Sequence, residues 1–107
     1  MTLVIGDQTT WKAEFSALPE IDGFRFIDIA DLTGKVFEDF PATIVLSTLF
    51  AGNLDAIEIA RKLSDLTFRG RYRVVADGLP KPDLIIREVA AVAPDIDFEI
   101  LNLPTQS

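Results

Sequence analysis

The run Ala42-Thr43-Ile44-Val45-Leu46-Ser47-Thr48-Leu49 constrains this chain more than any other stretch. Apolar side chains fall on both alternating sets of positions, so a strand made from it has no face suited to water. Such a strand belongs at the centre of a mainly parallel sheet covered by helices. Neighbouring segments supply the rest of that sheet. Leu3-Val4-Ile5 reads as a short buried strand ending at Gly6-Asp7, and the Asp22-Gly23 turn leads to a second strand from Phe24 to Ala30. Arg71 to Asp77 forms a fourth around Val74-Val75-Ala76. Ile96 to Leu103 forms the last, with Asp97 and Glu99 on one face and Phe98 and Ile100 on the other.

Helical signals lie between these strands. Thr9 or Thr10 caps a helix through Leu18 whose Trp11, Phe15 and Leu18 share one face, and Pro19 ends it. Gly34 and Pro41 leave room for only a stunted helix or an irregular loop. Asn53 is the expected cap of the next helix, which presents Leu54, Ile57, Ile59, Ala60, Leu63 and Leu66 inward and stops at Gly70. Pro82 opens a further helix that turns Ile85, Val89 and Val92 inward and ends at Pro94.

Strands that alternate with helices predict an α/β fold over residues 1–107, read as a single domain. The expected architecture is a flavodoxin-like five-stranded parallel sheet of order 2-1-3-4-5, with a shortened second helix and no helix after the last strand. Its functional crevice would lie at the carboxyl ends of the strands. Leu, Ile, Val and Phe make up roughly a third of the 107 residues, enough for a core without a staple.

Composition excludes several chemistries. The chain has no His and no Cys, hence no Cys/His zinc site, thiol redox centre or imidazole base. The N-terminus lacks the basic region of a signal peptide, and no apolar run is long enough to span a membrane, so the expected location is the cytoplasm. The formal charge of −7 disfavours nucleic acid and anionic lipid as partners. Charge is nevertheless uneven. Residues 51–81 carry six basic and four acidic side chains, mainly through Arg61, Lys62, Arg69, Arg71 and Arg73. That band reads either as a solvated helix end and strand flank or as a docking patch for an acidic protein surface.

Residues 43–63, from Thr43-Ile44-Val45-Leu46-Ser47-Thr48 through Leu54-Asp55-Ala56 to Glu58 and Arg61-Lys62, resemble the third strand and third helix of bacterial response-regulator receiver domains. Leu54-Asp55-Ala56 stands where those domains usually carry Met-Asp-Gly. The likeness extends in element order over nearly the whole chain. It implies a receiver-like fold and a role in two-component signal transduction.

The resemblance also implies a set of chemical positions, and this chain departs from most of them. The phosphoacceptor Asp at the end of the third strand corresponds to Thr48, or to Ser47 if the loop differs by one. The acidic pair after the first strand is reduced to Asp7, and the Ser/Thr switch falls at Ala76 or Asp77. The Lys-Pro after the fifth strand reads Leu103-Pro104. Aspartyl phosphorylation needs a carboxylate nucleophile, acids that hold Mg²⁺ and a balancing cation. The resemblance therefore implies a pseudo-receiver that binds a partner, a signalling protein or a kinase or output domain, and catalyses nothing. It calls for no cofactor and no metal. Receivers usually close with a fifth helix, whereas three residues follow Pro104. An uncovered apolar patch is expected there, including Trp11, Phe15 and the outer apolar residues of strands one, two and five, and with it a homodimer.

Two further constellations are weaker. Asp7, Asp31 and Asp77 fall near carboxyl ends of strands and could hold a hard cation, although acids there commonly cap helices and turns. The loop Gly78-Leu79-Pro80-Lys81-Pro82 lacks the glycines of a phosphate cradle and reads as a stiff connector, with Leu79 and Lys81 available to a partner. The competing functional class is a small-molecule or metal-binding domain, including a small enzyme, with its site at the carboxyl ends of the strands. A sulfate-transporter/anti-sigma-antagonist type domain with a phosphorylatable Ser47 or Thr48 would need a different strand order.

Overall fold

A computed structural model describes residues 2–6, 24–51 and 54–103. Among the described residues there are seven strands: β1 (Thr2–Ile5), β2 (Phe24–Ile27), β3 (Ile44–Thr48), β4 (Phe50–Ala51), β5 (Leu54–Asp55), β6 (Arg71–Asp77) and β7 (Asp97–Leu103). The described residues also form three α-helices: α1 (Gly34–Asp39), α2 (Ala56–Asp65) and α3 (Pro82–Val92). The expected helix from residue 10 to 18 lies outside the described residues.

Five strands form one parallel sheet in the order β2-β1-β3-β6-β7. This numbering departs from the expected 2-1-3-4-5 because an unforeseen ribbon, β4 paired antiparallel with β5, intervenes between β3 and β6. The β3 run is central, as its two-sided apolar pattern requires. Val45 is fully buried on one face, and Leu46 packs beside buried Val4 and Val75 on the other.

The larger core lies on the face of Leu3, Ile5, Val45, Tyr72 and Val74, where Ala56, Ile59, Ala60 and Leu63 of α2 and Val89 of α3 meet the sheet. Ile85 and Val92 flank Val89, and the short α1 adds Val36 and Phe37. Phe37 stacks on Phe68 with ring centroids 5.1 Å apart. Apolar side chains at the helical repeat on α2 and at alternate strand positions converge because both periodicities point to the same layer.

Local chemistry moves several boundaries from their sequence-based positions. The second strand ends at Ile27 rather than Ala30, since Ile29–Asp31 coils into a 3₁₀ turn. The cap of α2 is Asp55, whose carboxylate accepts the Glu58 N–H at 2.9 Å, and not Asn53, which lies outside the described residues. The stop of α2 is Thr67, and not Gly70. Thr67 adopts the left-handed φ of 61°, its N–H donates to the Ser64 carbonyl, and the Phe68 N–H donates to the Leu63 carbonyl. That pair of bonds is a Schellman closure with a threonine in the usual glycine place.

The outer face of the sheet carries charge on its last two strands. On β6 and β7 it carries Arg71, Arg73, Asp97 and Glu99, joined by ion pairs, with Leu101 the exposed large apolar residue there. On the last strand, exposed Leu101 therefore shares the outer face with a charged ladder. Alternation puts Asp97 and Glu99 outward whenever Phe98 and Ile100 enter the core.

Candidate functional site

Two of the sequence-selected positions at the carboxyl ends of the strands, Ser47 and Ala76, are buried and offer no accessible reactive group. Ser47 has no exposure. Its hydroxyl donates to the Thr48 carbonyl at 2.8 Å and lies 2.6 Å from the Tyr72 hydroxyl. With the Ser47 proton committed to Thr48, Tyr72 is the donor to Ser47 Oγ. Tyr72 is itself fully buried. Burial drives its phenol well above the ordinary value of about 10; the Ser47 bond opposes this, and the Asp55 charge adds to it. The pair is a sealed, satisfied polar link inside the core.

Thr48 is half-buried on the opposite face of β3, paired in register with Val75. Ala76 is buried and has no hydroxyl to act as a switch. Asp77 and Leu103 are register partners at the ends of β6 and β7, and their side chains lie outside the description. Asp7, Trp11, Phe15 and Pro104 lie outside the described residues. Asp31 is exposed in its 3₁₀ turn, and no group of three potential metal-ligating acids occurs among the described residues. Leu79 is half-buried, and Lys81 is exposed at the start of α3, where its side chain makes no capping bond.

The selected arginines come together at the other end of the sheet. Arg69 lies 3.6 Å from Asp95, and Arg71 lies 4.0 Å from Asp97. All four of these side chains are about 60% exposed, so the pairs are loose and screened. Arg73 behaves differently. Only 15% exposed, it donates to the Asp97 carbonyl at 2.6 Å and lies 3.6 Å from the Glu99 carboxylate. The parallel register Arg71↔Asp97 and Arg73↔Glu99 builds this ladder.

An open hollow of about 440 Å³ lies at the amino ends of β3, β6 and β7, lined by Thr43, Ile44, Arg69, Gly70, Arg71 and Asp97. The Arg71 N–H donates to the Thr43 carbonyl at 3.0 Å, and a Cβ on Gly70 would collide with that carbonyl and with the Phe68 ring. Tyr72, Thr43, Gly70 and the acids Asp95, Asp97 and Glu99 belong to no motif that marks them as parts of a site. Opposed charges at alternating positions of the last two strands were the available signal for the ladder.

No family model matches this chain, and no curated protein or solved structure matches it. Among the described residues, no helix is long and apolar enough to cross a membrane.

Proposed function

We propose that this chain is a non-enzymatic signalling or regulatory module that binds another protein, built on a flavodoxin-like, receiver-like scaffold without receiver chemistry. The observation that carries the reading is the Ser47–Tyr72 pair. The resemblance calls for a phosphoacceptor carboxylate at Thr48, or at Ser47 if the loop differs by one; Thr48 is a half-buried hydroxyl, and Ser47 is a neutral hydroxyl with no exposure, hydrogen-bonded inside the core. A nucleophile must reach its donor and carry or acquire negative charge. Ser47 does neither, and its neighbour Thr48 is a hydroxyl too. Core packing has taken the place of the reactive centre, which leaves the surface as the part of the scaffold available for work.

Incubation with acetyl phosphate and Mg²⁺, followed by intact mass measurement, tests the proposal. An unchanged mass supports it. A stable phosphoryl adduct on Asp7 or Asp77 would return the chain to the phosphorylated class. An unbiased metabolite and metal titration separates this reading from the ligand-binding alternative, which expects saturable binding at the carboxyl ends of the strands.

A further inference from the structure

We propose that the free edge of β7 receives a second copy of this chain. The two β7 strands pair antiparallel about a twofold axis at Leu101, which joins two five-stranded sheets into one. The inference goes beyond the interaction-module reading and does not rest on it.

Three observations carry it. The first is the edge itself. Among the described residues β7 pairs with β6 alone, in unbroken register from Arg71↔Asp97 to Asp77↔Leu103. A strand of seven residues with no proline and no bulge leaves a row of backbone N–H and C=O groups for another strand. The opposite edge, β2, runs for only four residues before the chain coils into its 3₁₀ turn. The second is where apolar surface remains. Leu84, Ile86 and Leu101 are the large apolar side chains left exposed among the described residues, and all three belong to α3 and β7, the unit that forms this edge. The third is charge, and it selects the occupant. Charged side chains ordinarily guard an edge, but here Asp97 and Glu99 already face Arg71 and Arg73 across the ladder. The edge therefore meets a like edge without net charge, although the chain carries −7. Both acids precede Leu101 on the strand. An antiparallel partner centred on Leu101 sets Leu101 against Leu101 and Glu99 opposite Leu103, so no two acids oppose each other. A register centred on Phe98 would instead set Asp97 against Glu99. Pairing of this kind is isologous and closes at two copies.

The test uses the full chain. Light scattering at several concentrations should show a monomer–dimer equilibrium that moves toward dimer between about 0.05 and about 0.5 M salt, as the remaining charge is screened. Leu101→Lys, which sets like charges against each other on the axis, is expected to weaken association at least tenfold. Arg25→Ala, at an exposed position on the β2 edge, is expected to leave it unchanged. Circular dichroism of each variant confirms that the fold is retained. The chain has no cysteine, so single cysteines report the register. Under mild oxidation Leu101→Cys should link into a covalent dimer. Glu99→Cys, whose two copies lie about 13 Å apart along the paired strands, should link at least tenfold more slowly. Four results would each overturn the assignment: a monomer at every concentration, assemblies that grow past two copies, association indifferent to Leu101→Lys, or equal cross-linking from the two cysteine positions. Any of these leaves the interaction-module reading standing, because that reading falls only with a phosphoryl adduct or a ligand at the carboxyl ends.

Discussion

Ser47 on β3 and Tyr72 on β6 share a 2.6 Å hydrogen bond between fully buried hydroxyls. The bond joins neighbouring strands beneath α2 and α3, and the Ser47 proton continues to the Thr48 carbonyl. Removing the Ser47 hydroxyl strands the Tyr72 hydroxyl in an apolar surround, whereas removing the Tyr72 hydroxyl costs Ser47 one of its two bonds and leaves the one to the Thr48 carbonyl. Tyr72→Phe and Ser47→Ala are each expected to cost about 1–3 kcal/mol in urea unfolding. The double variant should cost less than the sum. Strict additivity would show that the two hydroxyls do not depend on each other.

Alkaline titration examines the same pair without mutation. Tyr72 is the single tyrosine, so tyrosinate absorbance reports on it alone. Its folded pKa lies above the unfolded value, so the native state keeps a proton that the unfolded state loses. The stabilisation is complete below about pH 10 and is lost as pH rises further, with a slope approaching ~1.4 kcal/mol per pH unit. Tyrosinate absorbance should therefore appear together with the loss of far-ultraviolet circular dichroism. Ionisation near pH 10 in a chain that stays folded would mean that Tyr72 is open to water.

Thr67 closes α2 with φ at 61°, a backbone region costly for a β-branched residue. Thr67→Gly removes that strain while keeping the bonds from the residue 67 and Phe68 N–H groups, and it gives up the Thr67 hydroxyl bond to the Leu66 carbonyl. A gain of about 0.5–1 kcal/mol in chemical denaturation is the expected result. A loss of stability would mean that the hydroxyl bond outweighs the strain.

Central strands and helix faces were legible because periodicity is a local property that burial enforces. Val45, Val74 and the Ile59-Ala60-Leu63 set fell where alternation and the 3.6-residue repeat put them. Features decided by particular pairs of groups were not legible. Gly52-Asn53 between Phe50-Ala51 and Leu54-Asp55 is a two-residue hairpin signal, but the asparagine also suits a helix cap, and that competing reading hid the β4–β5 ribbon. Gly70 reads as a helix stop until the Thr43 carbonyl is seen against it. The ladder required the strand register, which no local pattern supplies.

Gly70→Ala follows from that close approach. The added methyl meets a carbonyl held by the Arg71 N–H and a ring stacked on Phe37, neither free to retreat. Overpacking of this kind costs about 1–3 kcal/mol. Thermal unfolding should show a clearly lowered midpoint, and an unchanged midpoint would mean that the amino ends of β3 and β6 separate readily. Gly34, with nothing within 4 Å of a built Cβ, is the matched site where Ala should be tolerated.

Arg73 and Arg71 occupy alternate positions on one strand face, and burial gives them different roles. Arg73 is 15% exposed and donates at 2.6 Å to the Asp97 backbone carbonyl, so its main bond does not depend on a screened carboxylate. Its aliphatic stem also covers the outer face of the sheet. Arg73→Ala is expected to destabilise the chain by about 1–2 kcal/mol, with little difference between 0.05 and about 1 M salt. Arg71→Ala, which breaks an exposed 4.0 Å pair, should stay within about 0.5 kcal/mol of the parent. Urea unfolding of both variants at the two salt levels distinguishes the roles. Equal and strongly salt-dependent losses would make the ladder an ordinary surface network and remove the reason to treat Arg73 as fixed to the sheet.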